Sequence, residues 1–303
     1  MPLSVHTPLL ESLPLSQLND TTVRLKMEAL QPSGSFKIRG IGHACEQYAA
    51  QGAQRFISSS GGNAGLAVAY SGRRLGIPVL VVVPETTTER AMELLRLESA
   101  EVIVHGSSWI EANALALSKK TARDAFLHPF DDPILWQGHA TMIDEVVADG
   151  MKPDAVVLSV GGGGLLAGID EGLRRNGMKD TPIFAAETEG MASYNAALKA
   201  GNPVELSSLS GVATSLGARQ VCQRACEVAE ERTIDSVLVS DGEAVDACLA
   251  FMNDHRMVVE PACGASLALL YGKKLDFSDF GNVLVIVCGG STATVKSLTE
   301  YRR

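Results

Sequence analysis

The chain has 303 residues, a formal net charge of −9, 46% hydrophobic residues and 20% charged residues. This length accommodates two α/β domains, and this composition excludes a disordered chain. The acidic balance, without any lysine- or arginine-rich block, argues against a nucleic-acid partner, and no stretch approaches the ~20 apolar residues of a membrane span.

Short β-rich apolar runs alternate with longer stretches of helical character. We predict strands over 22–28, 55–59, 78–83, 101–104, 155–160, 182–187 and 282–287. We predict helices over 63–75, 87–98, 108–120, 133–149, 164–175, 241–254 and 262–274. Several of the strands are apolar on both faces, as strands of a covered parallel sheet must be. The alternation predicts an α/β fold with open, mostly parallel twisted sheets flanked by helices.

A change of domain is predicted at the Pro- and Asp-rich segment HPFDDP (128–133), which follows the strand-like segment DAFL. Such a composition is typical of a crossing between domains. We therefore predict a large domain formed by residues 1–37 and 132–303, and a small domain formed by residues 38–131.

The segment QPSGSFKIRG (31–40) places Lys37 directly after a Ser-Gly-Ser-Phe turn, where a predicted strand gives way to a helix. A surface lysine needs no such setting. A lysine that must hold a carbonyl cofactor does need one, and this makes Lys37 a candidate for that role.

Three glycine-rich loops follow predicted strands, and the first is SSSGGNAGLAVAY (58–70). Backbone N–H groups at the start of its helix favour an anion. Ser60 and Asn63 add short polar side chains, while Gly61 and Gly62 let a ligand approach the backbone. The alternative interpretation is an ordinary N-capped helix after a tight turn.

The second loop, SVGGGGLLAG (159–168), contains four consecutive glycines, which are costly in backbone entropy. A phosphate held by successive N–H groups explains them, although no Gly-Lys-Ser/Thr of a P-loop follows. Gly162, Gly164 and Ala167 also match the pattern G-x-G-x-x-A, and Glu187 lies 25 residues after Gly162. A dinucleotide-binding interpretation therefore stays open at this point.

The third loop, VIVCGGST (285–292), places Cys288 at the carboxyl end of an apolar strand, where open α/β sheets bind ligands. The alternative is a packed thiol. The other five cysteines form no CxxC pair, and we predict that they are buried thiols of a cytoplasmic protein. They are Cys45, Cys222, Cys226, Cys248 and Cys263.

One cofactor accounts for all of these features. Pyridoxal 5′-phosphate (PLP) needs a lysine for its aldehyde, a phosphate site, a partner for its ring nitrogen and a neighbouring pocket for an amino acid's carboxylate. The dinucleotide interpretation explains only the glycines and Glu187, and it leaves the segment around Lys37 unexplained.

Five motifs, in order and spacing, resemble those of the serine/threonine dehydratases of PLP fold type II, and the animal-type L-serine dehydratases most of all. They are SFKIRG, SSGGNAG, GGGGLLAG, VEPACGA (259–265) and VCGGS, and PFDDPILWQGHA (129–140) fits the same pattern. The resemblance runs from about residue 5 to about residue 300. It implies a tryptophan synthase β-like fold and a cytoplasmic homodimer that degrades amino acids.

The resemblance also implies a role for each matched residue. Lys37 matches the lysine that binds the cofactor aldehyde and then acts as general base. The other cofactor-binding positions are Phe36, Asn63, Gly161, Gly162, Gly163, Gly164, Leu165 and Cys288. The loop for the substrate carboxylate is Ser60, Gly61, Gly62, Asn63 and Ala64. A monovalent cation, K⁺, is implied at Glu187, with Met191, Ser215, Leu216 and Ala218 completing the shell.

The implied reaction is α,β-elimination of L-serine, and of L-threonine, to a 2-oxo acid and ammonia. A thiol at Cys288 supplies no full negative charge to the ring nitrogen, which favours prompt loss of the β-hydroxyl over transamination.

Four alternatives stay open. A serine racemase needs a second acid/base, and Gly61 in the loop where one is expected counts against it. A threonine dehydratase of the biosynthetic type carries a C-terminal regulatory domain, which we do not expect, since the chain ends soon after the third glycine loop. The others are an NAD-linked oxidoreductase and a catalytically silent PLP-binding protein.

Overall fold

The computed structural model describes residues 2–302. Its strands are β1 (Leu9–Glu11), β2 (Thr22–Lys26), β3 (Arg55–Ser58), β4 (Val79–Val83), β5 (Glu101–Val104), β6 (Asp124–Phe126), β7 (Ala155–Ser159), β8 (Ile183–Thr188), β9 (Ile234–Val239) and β10 (Asn282–Ile286). Its helices are α1 (Leu13–Asn19), α2 (Lys37–Ala50), α3 (Asn63–Leu75), α4 (Glu89–Leu97), α5 (Trp109–Ser118), α6 (Pro133–Ala148), α7 (Gly164–Arg175), α8 (Ser193–Ala200), α9 (Gln223–Glu231), α10 (Asp241–His255), α11 (Pro261–Tyr271) and α12 (Val295–Tyr301).

The larger sheet has six strands in the order β1-β2-β10-β7-β8-β9. Only the short β1 runs antiparallel to its neighbour, and every other pair in this sheet is parallel. All five residues of β7 are buried, as are all six of β8, because helices cover both faces.

The smaller sheet has four parallel strands in the order β5-β4-β3-β6. Successive side chains of a strand point to opposite faces, and this sheet uses both faces. On β4, Val79, Val81 and Val83 belong to one hydrophobic core. The alternate residues Leu80 and Val82 belong to a second core with Ala112 and Ala116 of α5.

The predicted fold class is confirmed, and the seven predicted strands and seven predicted helices all form, with limits that differ by three residues at most. The sequence analysis gave no bounds for β1, β9, α1, α2, α8, α9 and α12. Strand β9 was missed because it is only partly buried, so its apolar run is broken by Asp235 and Ser236.

The predicted domain limits, 1–37 with 132–303 and 38–131, stay a prediction. The strands of the smaller sheet all lie between residues 55 and 126, and the strands of the larger sheet all lie outside that range. No helix within residues 2–302 is both long and apolar enough to cross a bilayer.

A buried ionic cluster fixes α2, the helix that begins at Lys37. Arg39 donates to Glu28 at 2.7 Å and 2.8 Å, and to Glu145 of α6 at 2.7 Å and 2.6 Å. Lys26 of β2 donates to the same Glu145 at 2.6 Å. Lys26, Glu28 and Arg39 are buried and Glu145 is partly buried, and Arg39 pairs with each carboxylate through two hydrogen bonds, the condition under which buried ions are tolerated. The start of α2 is thereby held against both β2 and α6.

Candidate active site

Lys37 is the first residue of α2, and its side chain enters a cleft at the carboxyl ends of β3, β7 and β10. The turn before it is held by a hydrogen bond from Phe36 N–H to the carbonyl of Cys288, 3.1 Å long. The ammonium nitrogen donates to the carbonyl of Pro129 at 2.6 Å and lies 5.1 Å from the centroid of the Phe36 ring. Pro129 belongs to the segment between β6 and α6.

The amine of Lys37 is surrounded by protein atoms, although the residue as a whole is partly open to the cleft. This burial lowers the pKa of Lys37 to about 8, while Cys288 and Glu260 act in the opposite direction. A lysine with a pKa near 8 has a substantial neutral fraction at mildly alkaline pH. Only the neutral amine can attack an aldehyde or accept a proton.

The four glycines between β7 and α7 form a backbone concavity. Within residues 2–302, the N–H groups of Gly161, Gly162, Gly163 and Gly164 have no backbone acceptor, and α7 begins at Gly164. A Cβ atom on Gly161 would lie 3.0 Å from Cα of Leu216, and one on Gly164 would lie 2.6 Å from the carbonyl oxygen of Phe130. The loop therefore offers free donors at a helix N-terminus, which suits a phosphate.

Phe130 closes one side of this loop, and the sequence analysis assigned it no role. A Cβ atom on Gly162 would lie 2.3–2.4 Å from ring carbons of Phe130. The ring packs edge-on against His128, and the backbone carbonyl of Phe130 accepts from Nε1 of Trp136 at 2.9 Å. No local signal in the sequence marks this contact, because Phe130 and Gly162 meet only through the fold.

Cys288 lies just beyond β10 and is 6% exposed. A hydrogen bond with Cys263, together with burial and the nearby Glu260, holds the pKa of Cys288 well above its ordinary value. The thiol is therefore neutral at physiological pH. It can contact an aromatic nitrogen without placing a negative charge beside it.

Asn63 is the first residue of α3 and links the first loop to the third. Its Oδ1 accepts from the backbone N–H of Ser291 at 2.9 Å and from the Ser291 hydroxyl at 2.8 Å. Its Nδ2 donates to Oε1 of Glu260 at 2.7 Å and to Oγ of Ser215 at 3.3 Å. In the same loop, the backbone N–H of Gly62 donates to Oγ of Ser60 at 3.4 Å.

Glu260 is the second residue of the cleft that the sequence analysis missed. Burial raises the pKa of Glu260 to about 7, and hydrogen bonds from Ser215 and Asn63 and the charge of Lys37 act the other way. A signal was present in the sequence, since Glu260 precedes Pro261 at the start of an apolar helix. An acid at the start of a buried helix must itself find partners.

One cleft brings most of the predicted site together. It is lined by all nine predicted cofactor residues and by two of the predicted cation residues: Phe36, Lys37, Asn63, Gly161, Gly162, Gly163, Gly164, Leu165, Cys288, Ser215 and Leu216. Predicted site residues outside this lining are Ser60, Gly61, Gly62, Ala64, Glu187, Met191 and Ala218. The first four of these directly precede α3 or lie in its first turn, next to Asn63.

The predicted cation residues are only partly assembled. A Cβ atom on Gly217 would lie 3.6 Å from the sulfur of Met191, so Met191 lies beside the loop that carries Ser215, Leu216 and Ala218. The carboxylate of Glu187 accepts from the backbone N–H groups of Tyr194 at 2.8 Å and Asn195 at 2.7 Å, in the first turn of α8. Its burial raises the pKa of Glu187 to about 7.

This geometry fits PLP and gives the dinucleotide interpretation no support. The buried amine of Lys37, the N–H groups of the glycine loop and the neutral thiol of Cys288 line one cleft, as the aldehyde, phosphate and ring nitrogen of PLP require. Glu187, the residue that would bind a ribose, is fully buried and already accepts two helix N–H groups.

Fold and site together define an α/β enzyme that binds pyridoxal phosphate. A family model described as "PALP: Pyridoxal-phosphate dependent enzyme" matches residues 2–289. The chain belongs to this family, and the predicted resemblance is confirmed.

Known proteins similar to the chain include two curated relatives and one solved structure. The chain is 44% identical to "L-serine dehydratase" of Dictyostelium discoideum, over 99% of this chain and 91% of that protein. It is 45% identical to "L-serine dehydratase/L-threonine deaminase" of Homo sapiens, over 99% and 95%. The crystal structure of a fungal L-serine ammonia-lyase from Rhizomucor miehei superposes with a TM-score of 0.94 at 35% identity, covering 100% of this chain and 99% of that one.

Proposed function

We propose that the chain is a PLP-dependent ammonia-lyase that converts L-serine to pyruvate and ammonia, and L-threonine to 2-oxobutanoate and ammonia. The observation that carries this proposal is the presence, in one cleft, of the Lys37 amine, the start of α3 and the neutral Cys288 thiol. The names of relatives that match over nearly the whole chain support the substrate class.

The chain's own residues divide the work of an elimination. Ser60 to Gly62 lead into α3, which begins at Asn63 and Ala64, and the N–H groups at a helix start suit the carboxylate of an amino acid. That contact orients the substrate, and Lys37 then removes the proton from Cα. The glycine loop from Gly161 to Gly164 would hold the phosphate, and Phe36, which lines the same cleft, would contact the ring.

The identity of the ring-nitrogen partner favours elimination. When bound, PLP would supply a conjugated ring system that withdraws electrons from Cα. A neutral thiol at Cys288 would strengthen that withdrawal less than a carboxylate does, which favours prompt loss of the β-hydroxyl. The β-hydroxyl keeps the electrons of the Cβ–O bond, takes up the proton that Lys37 removed from Cα and leaves as water. The enamine that is released hydrolyses to the 2-oxo acid and ammonia.

The proposal is tested by incubating the purified, PLP-loaded protein with L-serine and with L-threonine. We expect 2-oxo acid and ammonia to form in equal amounts, with D-serine as the control that the geometry at Cα rejects. A protein that shows the visible absorption band of lysine-bound PLP, yet forms no 2-oxo acid from either substrate, would be a catalytically silent binding protein.

One observation argues against the racemase alternative. A second acid/base was expected near Gly61, and a Cβ atom there would lie 2.7 Å from Cγ2 of Thr87 and 3.2 Å from Cγ1 of Val83. No side chain fits at this position without displacing its neighbours. D-Serine formation from L-serine, measured by chiral chromatography, distinguishes the racemase.

We also propose that K⁺ binds at Glu187, with the backbone near Met191, Ser215, Leu216 and Ala218. The support is electrostatic: the carboxylate of Glu187 is fully buried, and its protein partners are neutral N–H groups rather than a cation. A buried charge without a counter-ion is costly, and a bound cation removes that cost. Each carboxylate oxygen retains a lone pair for it.

Removal of K⁺ is therefore expected to lower both serine turnover and the unfolding temperature. Exchange of K⁺ for tetramethylammonium should reduce turnover about tenfold and lower Tm by a few degrees, since a ligand stabilises the state that binds it. In Glu187→Gln, an isosteric variant, both quantities should become independent of K⁺. Equal K⁺ dependence in the two proteins would show that the cation binds elsewhere or not at all.

We propose further that the protein is a cytoplasmic homodimer, as the family resemblance implies. All six cysteines are free and buried, which suits a reducing compartment. Sedimentation velocity tests the homodimer.

A further inference from the structure

Contacts within α11 do not explain the direction of the Glu260 side chain. It occupies the N-cap of α11, where a side-chain oxygen ordinarily accepts from the first turn, and it forms no such bond. Its carboxylate instead reaches Asn63, 197 positions away in sequence, at 2.7 Å. Since Glu260 is 7% exposed, this contact supplies a hydrogen bond that water cannot.

Space for this approach is provided by Gly290. A Cβ atom on Gly290 would lie 2.5 Å from both Cβ and Cγ of Glu260, and Gly290 has φ of +146°, which side chains rarely adopt. The same loop carries Cys288 and Ser291. The third glycine loop therefore admits the side chain of Glu260 and also supplies two donors to Asn63.

Together these contacts determine the orientation of the Asn63 amide. Two donors from Ser291 face its oxygen, and the carboxylate of Glu260 faces its nitrogen. A flipped amide would oppose its oxygen to the carboxylate of Glu260 and its NH₂ to the backbone N–H of Ser291, and both of these hydrogen bonds would be lost, whereas the Ser291 and Ser215 hydroxyls can bond either orientation. With one Nδ2 hydrogen held by Glu260, the other lies towards Ser215 at the long distance of 3.3 Å.

We propose that Glu260 is a positioning residue that, with Ser291, orients the Asn63 amide so that its second Nδ2 hydrogen donates to the 3′ oxygen of the PLP ring. This rests on the proposed function in one respect, the binding of PLP in the cleft. Glu260 acts through Asn63 and needs only an acceptor oxygen, so glutamine is expected to replace it. Alanine is not.

The test compares Glu260→Ala with Glu260→Gln by titrating each apoprotein with PLP and recording the visible absorption band, without substrate. We expect Glu260→Ala to weaken PLP binding roughly tenfold, the usual effect of leaving a buried donor without its acceptor, and to shift the band. Glu260→Gln should stay within about threefold of the unmodified protein and keep its band. A merely structural role of Glu260 would leave the position of the band unchanged.

Cys248→Ala is the matched control. Cys248 donates to the backbone carbonyl of Glu260 at 3.3 Å, so this variant removes a contact with the Glu260 backbone and none with the Glu260 carboxylate. We expect unmodified PLP binding in this variant. If Glu260→Ala fails to fold, Ser291→Ala tests the other end of the amide, and should weaken binding about threefold with a band shift in the same direction.

Two results would overturn the inference. One is an unaltered affinity and band in Glu260→Ala, or in Ser291→Ala where that variant stands in. The other is a Glu260→Gln variant that binds PLP as weakly as Glu260→Ala does. That result would show that the charge of Glu260 matters, rather than the orientation of Asn63. An unmodified protein that binds PLP but yields no pyruvate overturns the proposed reaction alone, and one that binds no PLP overturns both.

Discussion

Replacement of Lys37 by alanine is expected to abolish the visible absorption band of the PLP-loaded protein and to reduce pyruvate release from L-serine by at least about a thousandfold. Among residues 2–302, Lys37 is the only amine that lines the cleft, so no other side chain there can bind the aldehyde. Absorbance titration with PLP and a coupled assay for pyruvate measure the two losses.

The variant should remain folded, and the sign of the lysine's pKa shift says why. The pKa of Lys37 is lower in the folded state, about 8, than the 10.5 of an ordinary lysine. Between these values the unfolded chain binds more protons, so stability rises with pH there, and below pH 8 the charged amine opposes folding. At pH 7 we therefore expect the Lys37→Ala apoprotein to unfold at no lower temperature than the unmodified apoprotein.

The exposed Lys120 supplies the matched control, since Lys120→Ala should retain both band and turnover. Reduction of the loaded protein with borohydride, followed by digestion and mass spectrometry, identifies the attachment site directly. A pyridoxyl group on any lysine other than Lys37 would contradict the assignment, as would turnover retained by Lys37→Ala.

The fold was predictable where burial left a clear pattern. Strand β4 is apolar along its whole length and lies between two cores, and its predicted limits differ from the observed ones by a single residue. Strand β9 is an edge strand of the larger sheet and is only partly buried, and it was not predicted. The difference reflects how strongly each strand's surroundings constrain its side chains.

The site was predictable where the backbone itself forms it. Glycine loops at the ends of β3, β7 and β10 have a sequence signature because a close backbone approach excludes side chains, and the ends of parallel strands share one edge. Phe130 has no such signature, and the position of Glu260 before Pro261 does not indicate which residue it contacts. Their roles depend on Gly162 and Asn63, residues far away in the chain, and only the folded arrangement reveals which side chains meet.

Gly162→Ala is expected to weaken PLP binding by roughly ten- to hundredfold, as overpacking of a tight contact costs about 1–3 kcal/mol. The added methyl group would lie 2.3–2.4 Å from three ring carbons of Phe130, so the ring must move. That movement disturbs two things at once. The glycine loop loses its contact with the Phe130 ring. Pro129, the residue next to Phe130, is displaced as well, and its carbonyl accepts the hydrogen bond from Lys37.

A second substitution separates this steric cause from a general weakening of the loop. If the clash with Phe130 is responsible, shortening that side chain in the double variant Gly162→Ala with Phe130→Leu should restore several-fold of the lost affinity, a coupling expected of residues in contact. Gly242→Ala on α10 is the matched glycine control, because the nearest atom to its added Cβ would be 3.9 Å away. PLP titration of the unmodified protein and the three variants tests this explanation. Full affinity in Gly162→Ala would mean that the Phe130 ring moves aside without measurable cost. In that case this loop tolerates a side chain, and its four glycines serve the approach of the phosphate alone.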